Sequence, residues 1–137
     1  MRLRTSQTGT SLVELMIAVT LFAIGIAALL GVFTQSVTLA RRAEMAYTAF
    51  NLAKNHVERL KTTDFSSLAD AGEASQIRIN QDGESDANGT YLRTTTITTS
   101  YNSDPLLTRA DVSVWYEFRG TQSPSAMEVT TVIYNGG

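Results

Sequence analysis

The hydrophobic residues of this chain change their period twice. From Leu15 to Phe33 the sequence runs 19 residues without a charge, and Thr20 alone interrupts its apolar and glycine composition. A helix rises about 1.5 Å per residue and needs roughly 20 residues to cross bilayer hydrocarbon, so this run predicts a transmembrane helix. Past Phe33 the apolar positions thin to one stripe, Leu39, Ala43, Ala46, Phe50, Ala53, Val57 and Leu60, at alternating spacings of four and three. That is the seam of an amphipathic helix, with Arg41, Arg42, Lys54, Asn55 and Arg59 off the stripe. No Pro or Gly lies between residues 32 and 71. Span and seam therefore predict one helix from about Leu12 to Leu60, about 70 Å long. A coiled coil shares the same spacing, but Ala at three of the seven stripe positions makes a poor zipper.

Residues 61–76 read as a loop that ends this helix, after which the period becomes two. Tyr91, Ile97 and Tyr101 fall in phase in a Thr-rich strand. Ala110, Val112, Val114, Tyr116 and Phe118 alternate in a second, and Met127, Val129, Thr131 and Ile133 in a third, with Ile77–Asn80 as a short edge. The segments between them, Gln81–Gly89, Asn102–Pro105 and Gly120–Pro124, hold the Gly, Pro, Asn and Asp that turns require. The expected fold is α+β: a long N-terminal helix, its first half transmembrane, packed on a three- to four-stranded antiparallel meander.

Composition narrows the chemistry. The chain has 137 residues and no Cys, which removes disulfides, Cys-ligated zinc, iron–sulfur clusters and thiol nucleophiles. A net charge of −2, with no basic cluster longer than Arg41-Arg42, argues against nucleic acid as a partner. His56 is the single histidine, without a Gly-x-Ser-x-Gly elbow, and reads as a solvated surface residue. No catalytic residue, metal site or cofactor is expected. Asp82, Glu84, Asp86 and Asn88 alternate in the manner of a calcium loop, but Arg93 or Thr95 stands where a bidentate Glu would be needed. The same segment contains Asp86-Ala87-Asn88-Gly89-Thr90, a glycosylation sequon preceded by an acid. Trp115 is out of phase with Val112 and Val114, which makes it a candidate contact for a neighbour.

Glu14 is the informative charge. It lies at the start of the apolar run, after Leu12 and Val13 and with no Lys or Arg among its helical neighbours. An acid at the membrane centre costs about 2.5–3.5 kcal/mol, less toward the interface, so a carboxylate in this setting needs a partner or a role. The dipole of a helix N-terminus would also favour an anion there. Arg2, Arg4 and the amino terminus precede the run and put the N-terminus in the cytoplasm, against the opposing pull of Arg41 and Arg42.

Gly9-Thr10-Ser11-Leu12-Val13-Glu14-Leu15-Met16-Ile17, ahead of an unbroken apolar run, resembles the processing site of type IV prepilins and type II secretion pseudopilins. The resemblance implies a leader, residues 1–9, that a membrane-embedded prepilin peptidase removes after Gly9, with methylation of the new α-amine of Thr10. Thr10 departs from the apolar first residue of most members, which bears on methylation more than on cleavage. It further implies that residues 10–35 form the transmembrane and assembly half of the helix, and residues 36–137 a periplasmic globular domain, together the lollipop of a pilin. Glu14 would act in assembly, pairing with the α-amine of a neighbouring subunit.

Partners implied by the resemblance are other pilins or pseudopilins in a helical fibre, the peptidase and an inner-membrane assembly platform driven by a separate ATPase. The segment Ala49–Ala53 through Val57–Lys61, with a last strand ending Val132-Ile133-Tyr134, is similar to minor pilins of the PilV type and to the I-type pseudopilin of type II secretion. Localisation follows as a single inner-membrane span, then a pilus or periplasmic pseudopilus. The alternative from another class is an uncleaved, signal-anchored periplasmic binding module.

Overall fold

The structure, a computed structural model, describes residues 11–136. The chain divides into two compact units, Met1–Ala40 and Arg41–Gly137. Helix α1, Leu12–Lys61, is 50 residues long and contributes to both. Its limits agree with the hydrophobic pattern to within a residue. After it come 3-10 turns at Phe65–Ser67 and Ala69–Ala71, then strands β1 (Ile77–Ile79), β2 (Tyr91–Thr99), β3 (Leu107–Phe118), β4 (Thr121–Gln122) and β5 (Met127–Tyr134), with a further 3-10 turn at Tyr101–Ser103.

In the first unit the apolar side chains of α1 are all exposed; Phe22 and Leu29, for example, retain 70% and 71% of their surface. Its threonine hydroxyls are satisfied within the helix. Thr20, Thr34 and Thr38 donate to the carbonyls of Met16, Leu30 and Thr34 at 2.7, 3.1 and 3.0 Å. Apolar surface outside and polar groups paired inside are what hydrocarbon requires of a helix. Among the described residues, α1 is the one helix long and apolar enough to cross a membrane.

The second unit is an antiparallel sheet in the order β1-β2-β3-β5, with β4 paired to the end of β3. Thr95 faces Val112 across β2 and β3, and Val112 faces Val129 across β3 and β5, which fixes the inward row. That row, with Ile79, Tyr91, Ala110 and Val114, forms one core with Ala49, Leu52, Ala53, Val57 and Leu60 of α1. Ala49 and Ala53 are fully buried and bring the helix backbone close to the sheet.

The buried face corrects the predicted stripe. Ala53, Val57 and Leu60 lie on it, but Phe50 is 43% exposed and Leu39 68%, while Leu52, off the stripe, is buried. At about 100° per residue the buried Ala49, Leu52, Ala53, Val57 and Leu60 fill an arc centred near Ala49 and Leu60, and Phe50 lies about 90° round the helix from that centre. Two smaller corrections follow from local structure. The segment read as a loop contains two 3-10 turns that drive Leu68 fully into the core, and β2 ends at Thr99, so Tyr101 lies in the following turn.

Gly89 closes the β1–β2 connection. A Cβ placed there would collide with the carbonyl oxygen of Ile79, so no larger residue fits without moving the strand.

Candidate functional site

Glu14 lies in the first turn of α1, where the unpaired N–H groups and the helix dipole favour an anion. The helix is under way by this point, since Leu15 N–H donates to the Ser11 carbonyl at 3.1 Å. Leu12 and Val13 beside it are 73% and 61% exposed, and no ion pair among the described residues includes Glu14. The carboxylate thus stands at the head of a bare apolar helix. Gly9 and Thr10, the expected cleavage and methylation positions, lie outside the described residues.

Residues 4–30 match the prokaryotic N-terminal methylation motif. The matched segment contains Gly9, Thr10, Glu14 and most of the apolar run, and it supports a type IV pilin-like or pseudopilin-like precursor. The exposed apolar helix that follows fits a membrane-anchored protein. Proteins with this motif are structural subunits, in keeping with a non-enzymatic role. Comparison with curated proteins and with solved structures gives no significant match.

The second unit contains a polar clamp that the pattern of the sequence did not disclose. Arg93 of β2 occupies an inward position, opposite Val114. Its Nε and Nη2 donate to Glu73 Oε1 at 2.9 and 2.6 Å, and its Nη1 donates to the Gly83 carbonyl at 3.1 Å. Thr95 Oγ1 donates to the other Glu73 oxygen at 3.0 Å, and the Glu73 N–H donates to the Thr95 carbonyl at 2.8 Å. The two ionic side chains are only 11% and 9% exposed. All three guanidinium nitrogens and both carboxylate oxygens are engaged, so one arginine ties β2 to the segments on either side of β1.

His56 faces this clamp. It is half-buried rather than solvated, its Nδ1 is buried without a hydrogen-bond partner, and it lines a cavity of about 30 Å³ with Asp82, Arg59 and Arg93. Burial first, then the positive charge of Arg93 and Arg59, outweighs Glu73 and lowers its pKa from 6.5 to about 4. The imidazole is therefore neutral in the folded chain at pH 6, whereas the unfolded chain binds a proton below pH 6.5. Stability is full above that pH and falls as pH drops from 6.5 towards 4. The half-exposed ring is partly screened, so the loss between pH 7.5 and pH 5 is about 1 kcal/mol. Urea midpoints of the wild type at the two pH values should show it, and His56→Phe should flatten it.

The acidic segment after β1 uses its side chains to hold the backbone. Asn80 Oδ1 accepts from the N–H groups of Asp82 and Glu84, each at 3.0 Å, and Asp86 Oδ1 accepts from Asn88 N–H at 2.9 Å. These are turn-forming bonds made by the side chains of Asn80 and Asp86. Asn88 of the sequon is exposed. Trp115 does lie on the face opposite Val112 and Val114; it is half-buried and stands across from Leu92.

Proposed function

We propose that this chain is a non-catalytic minor pilin, cut after Gly9 by prepilin peptidase and assembled into, or priming, a type IV pilus. The methylation motif at residues 4–30 carries the reading. Removal of residues 1–9 would free a cationic amine at Thr10 and make Glu14 the fifth residue of the mature chain. In a staggered fibre that amine meets the Glu14 carboxylate of an adjacent subunit. A paired charge in low dielectric needs good geometry, so the pair selects the correctly staggered neighbour as well as neutralising the acid.

Minor status is supported by the small sheet unit and by the absence of any cysteine to staple it, where major pilins usually carry a C-terminal disulfide loop. Residues 10–35 then act as the membrane and assembly half of α1, and residues 36–137 as the periplasmic domain. The test is fractionation of cells that make the protein at its natural level. Recovery of the processed chain with sheared surface fibres, at a small ratio to the main subunit, is the expected result. Recovery only in a periplasmic assembly with secretion components would replace the pilus by a type II pseudopilus.

A further inference from the structure

Arg41 and Arg42 are the first charges beyond the membrane run. From Leu15 to Ala40 the chain carries none, and Val37 and Leu39 within that stretch are 41% and 68% exposed. About 12 Å of helix separates Phe33 from Arg41, a distance that the headgroup layer and a long arginine side chain together cover. These arginines also stand on the flank that the positive-inside tendency would keep free of positive charge.

Within the second unit Arg42 converges with Arg119 on one aromatic ring. Their guanidinium carbons lie 5.4 and 5.2 Å from the centre of Phe118. Arg119 and Gly120 form the two-residue connection between β3 and β4, with φ of 53° and 76°. A turn with two left-handed residues favours Asn, Asp or Gly at its first position, so turn chemistry does not select an arginine there. All three arginines are exposed, and among the described residues none forms an ion pair. Glu44 shares the wall of a cleft of about 510 Å³ with Arg41 and Phe118, and Arg42 borders a second of about 170 Å³ on Phe118. Like charges gathered at one ring repel each other until an anion sits among them.

We propose that Arg41, Arg42 and Arg119 bind the phosphates of acidic phospholipids in the leaflet from which α1 emerges, with Phe118 as the platform that holds two guanidinium groups together. The inference rests on the membrane-anchored reading of α1. Guanidinium forks match phosphate oxygens in pairs, and an anionic surface attracts basic residues beside a span with about a fivefold effect each. On a chain of net charge −2 this patch is what lets the sheet unit approach such a surface. The contact would tie the sheet unit to the membrane before a subunit is extracted.

The test is hydrogen exchange of the full chain in nanodiscs of phosphatidylcholine, alone or with phosphatidylglycerol. With phosphatidylglycerol, amides of the β3–β4 hairpin should exchange at least about fivefold more slowly. High salt should remove the effect, Arg42→Gln with Arg119→Gln should abolish it, and Arg119→Lys should retain it. Equal exchange in the two lipids overturns the proposal. So does the same protection from inorganic phosphate in phosphatidylcholine discs, which marks a free-anion site, or protection that scales with chains per disc, which marks a second copy. Failure of the chain to enter either disc overturns the membrane reading; insertion without lipid dependence overturns this inference alone.

Discussion

Glu14→Gln is expected to leave membrane insertion unchanged and to lower incorporation into fibres at least about tenfold. The two halves of this expectation have different causes. Insertion depends on the apolar run from Leu15 to Phe33, which the substitution does not touch, and removal of a charge at its edge can only make it cheaper. Under the proposed function, incorporation depends on a pair between Glu14 and the Thr10 amine of a neighbour, and loss of one partner would leave the other charge desolvated and alone. Breaking such a pair costs about 2–5 kcal/mol, far more than a surface ion pair. Glu14→Val should behave like Glu14→Gln, because both remove the charge. Comparison of membrane and sheared-fibre fractions by immunoblot separates the two effects, and unchanged fibre content in either variant would remove Glu14 from assembly.

Arg93→Ala should destabilise the sheet unit by about 3–5 kcal/mol, since it leaves Glu73 buried without its counter-charge. For a unit of this size each kcal/mol lowers the melting temperature by about 4–8 °C, so the midpoint should fall by roughly 15–30 °C. Glu73→Gln should cost less, because the amide oxygen can still accept from Arg93 while its NH2 donates to Thr95 Oγ1, yet it leaves the arginine without a counter-charge. The paired replacement Arg93→Met with Glu73→Leu should recover much of the loss, as apolar groups of similar volume often do where an ion pair is buried. The near-ultraviolet signal of Trp115 on heating in detergent provides the measurement. A melting point for Arg93→Ala within a few degrees of wild type would show that the clamp is ornamental to stability.

The long helix was legible because two strong signals, an uncharged run and a helical stripe, meet without a Pro or Gly between them. The three long strands were legible from their period of two, and the expected inward rows of Ala110–Tyr116 and Met127–Ile133 face the core. The orientation of the helix was less so. A seven-residue stripe with small Ala positions does not distinguish Phe50 from Leu52, and packing favours the arc on which Ala49 and Ala53 admit the sheet.

The polar clamp was missed because Glu73 and Arg93 are 20 residues apart and meet only once β1 and β2 have paired. One signal was present: Arg93 is a charge in the inward phase of Tyr91, Thr95 and Ile97. A charge on the apolar phase of a strand calls for a buried partner. His56 was misread for a related reason, since a residue beside Val57 at the margin of the stripe is exposed or covered according to where the loop after β1 folds. At the N-terminus the balance reverses. Gly9, Thr10 and Glu14 are legible through their spacing in the methylation motif, and the bare helix adds only the exposed setting of Glu14.

The most direct measurement of the account is the mass of the N-terminal peptide of the membrane-extracted protein, from cells that retain their own prepilin peptidase. A chain that begins at Thr10, with or without one added methyl, is the predicted result. A chain that still begins at Met1 would contradict it and leave a signal-anchored binding module as the better description.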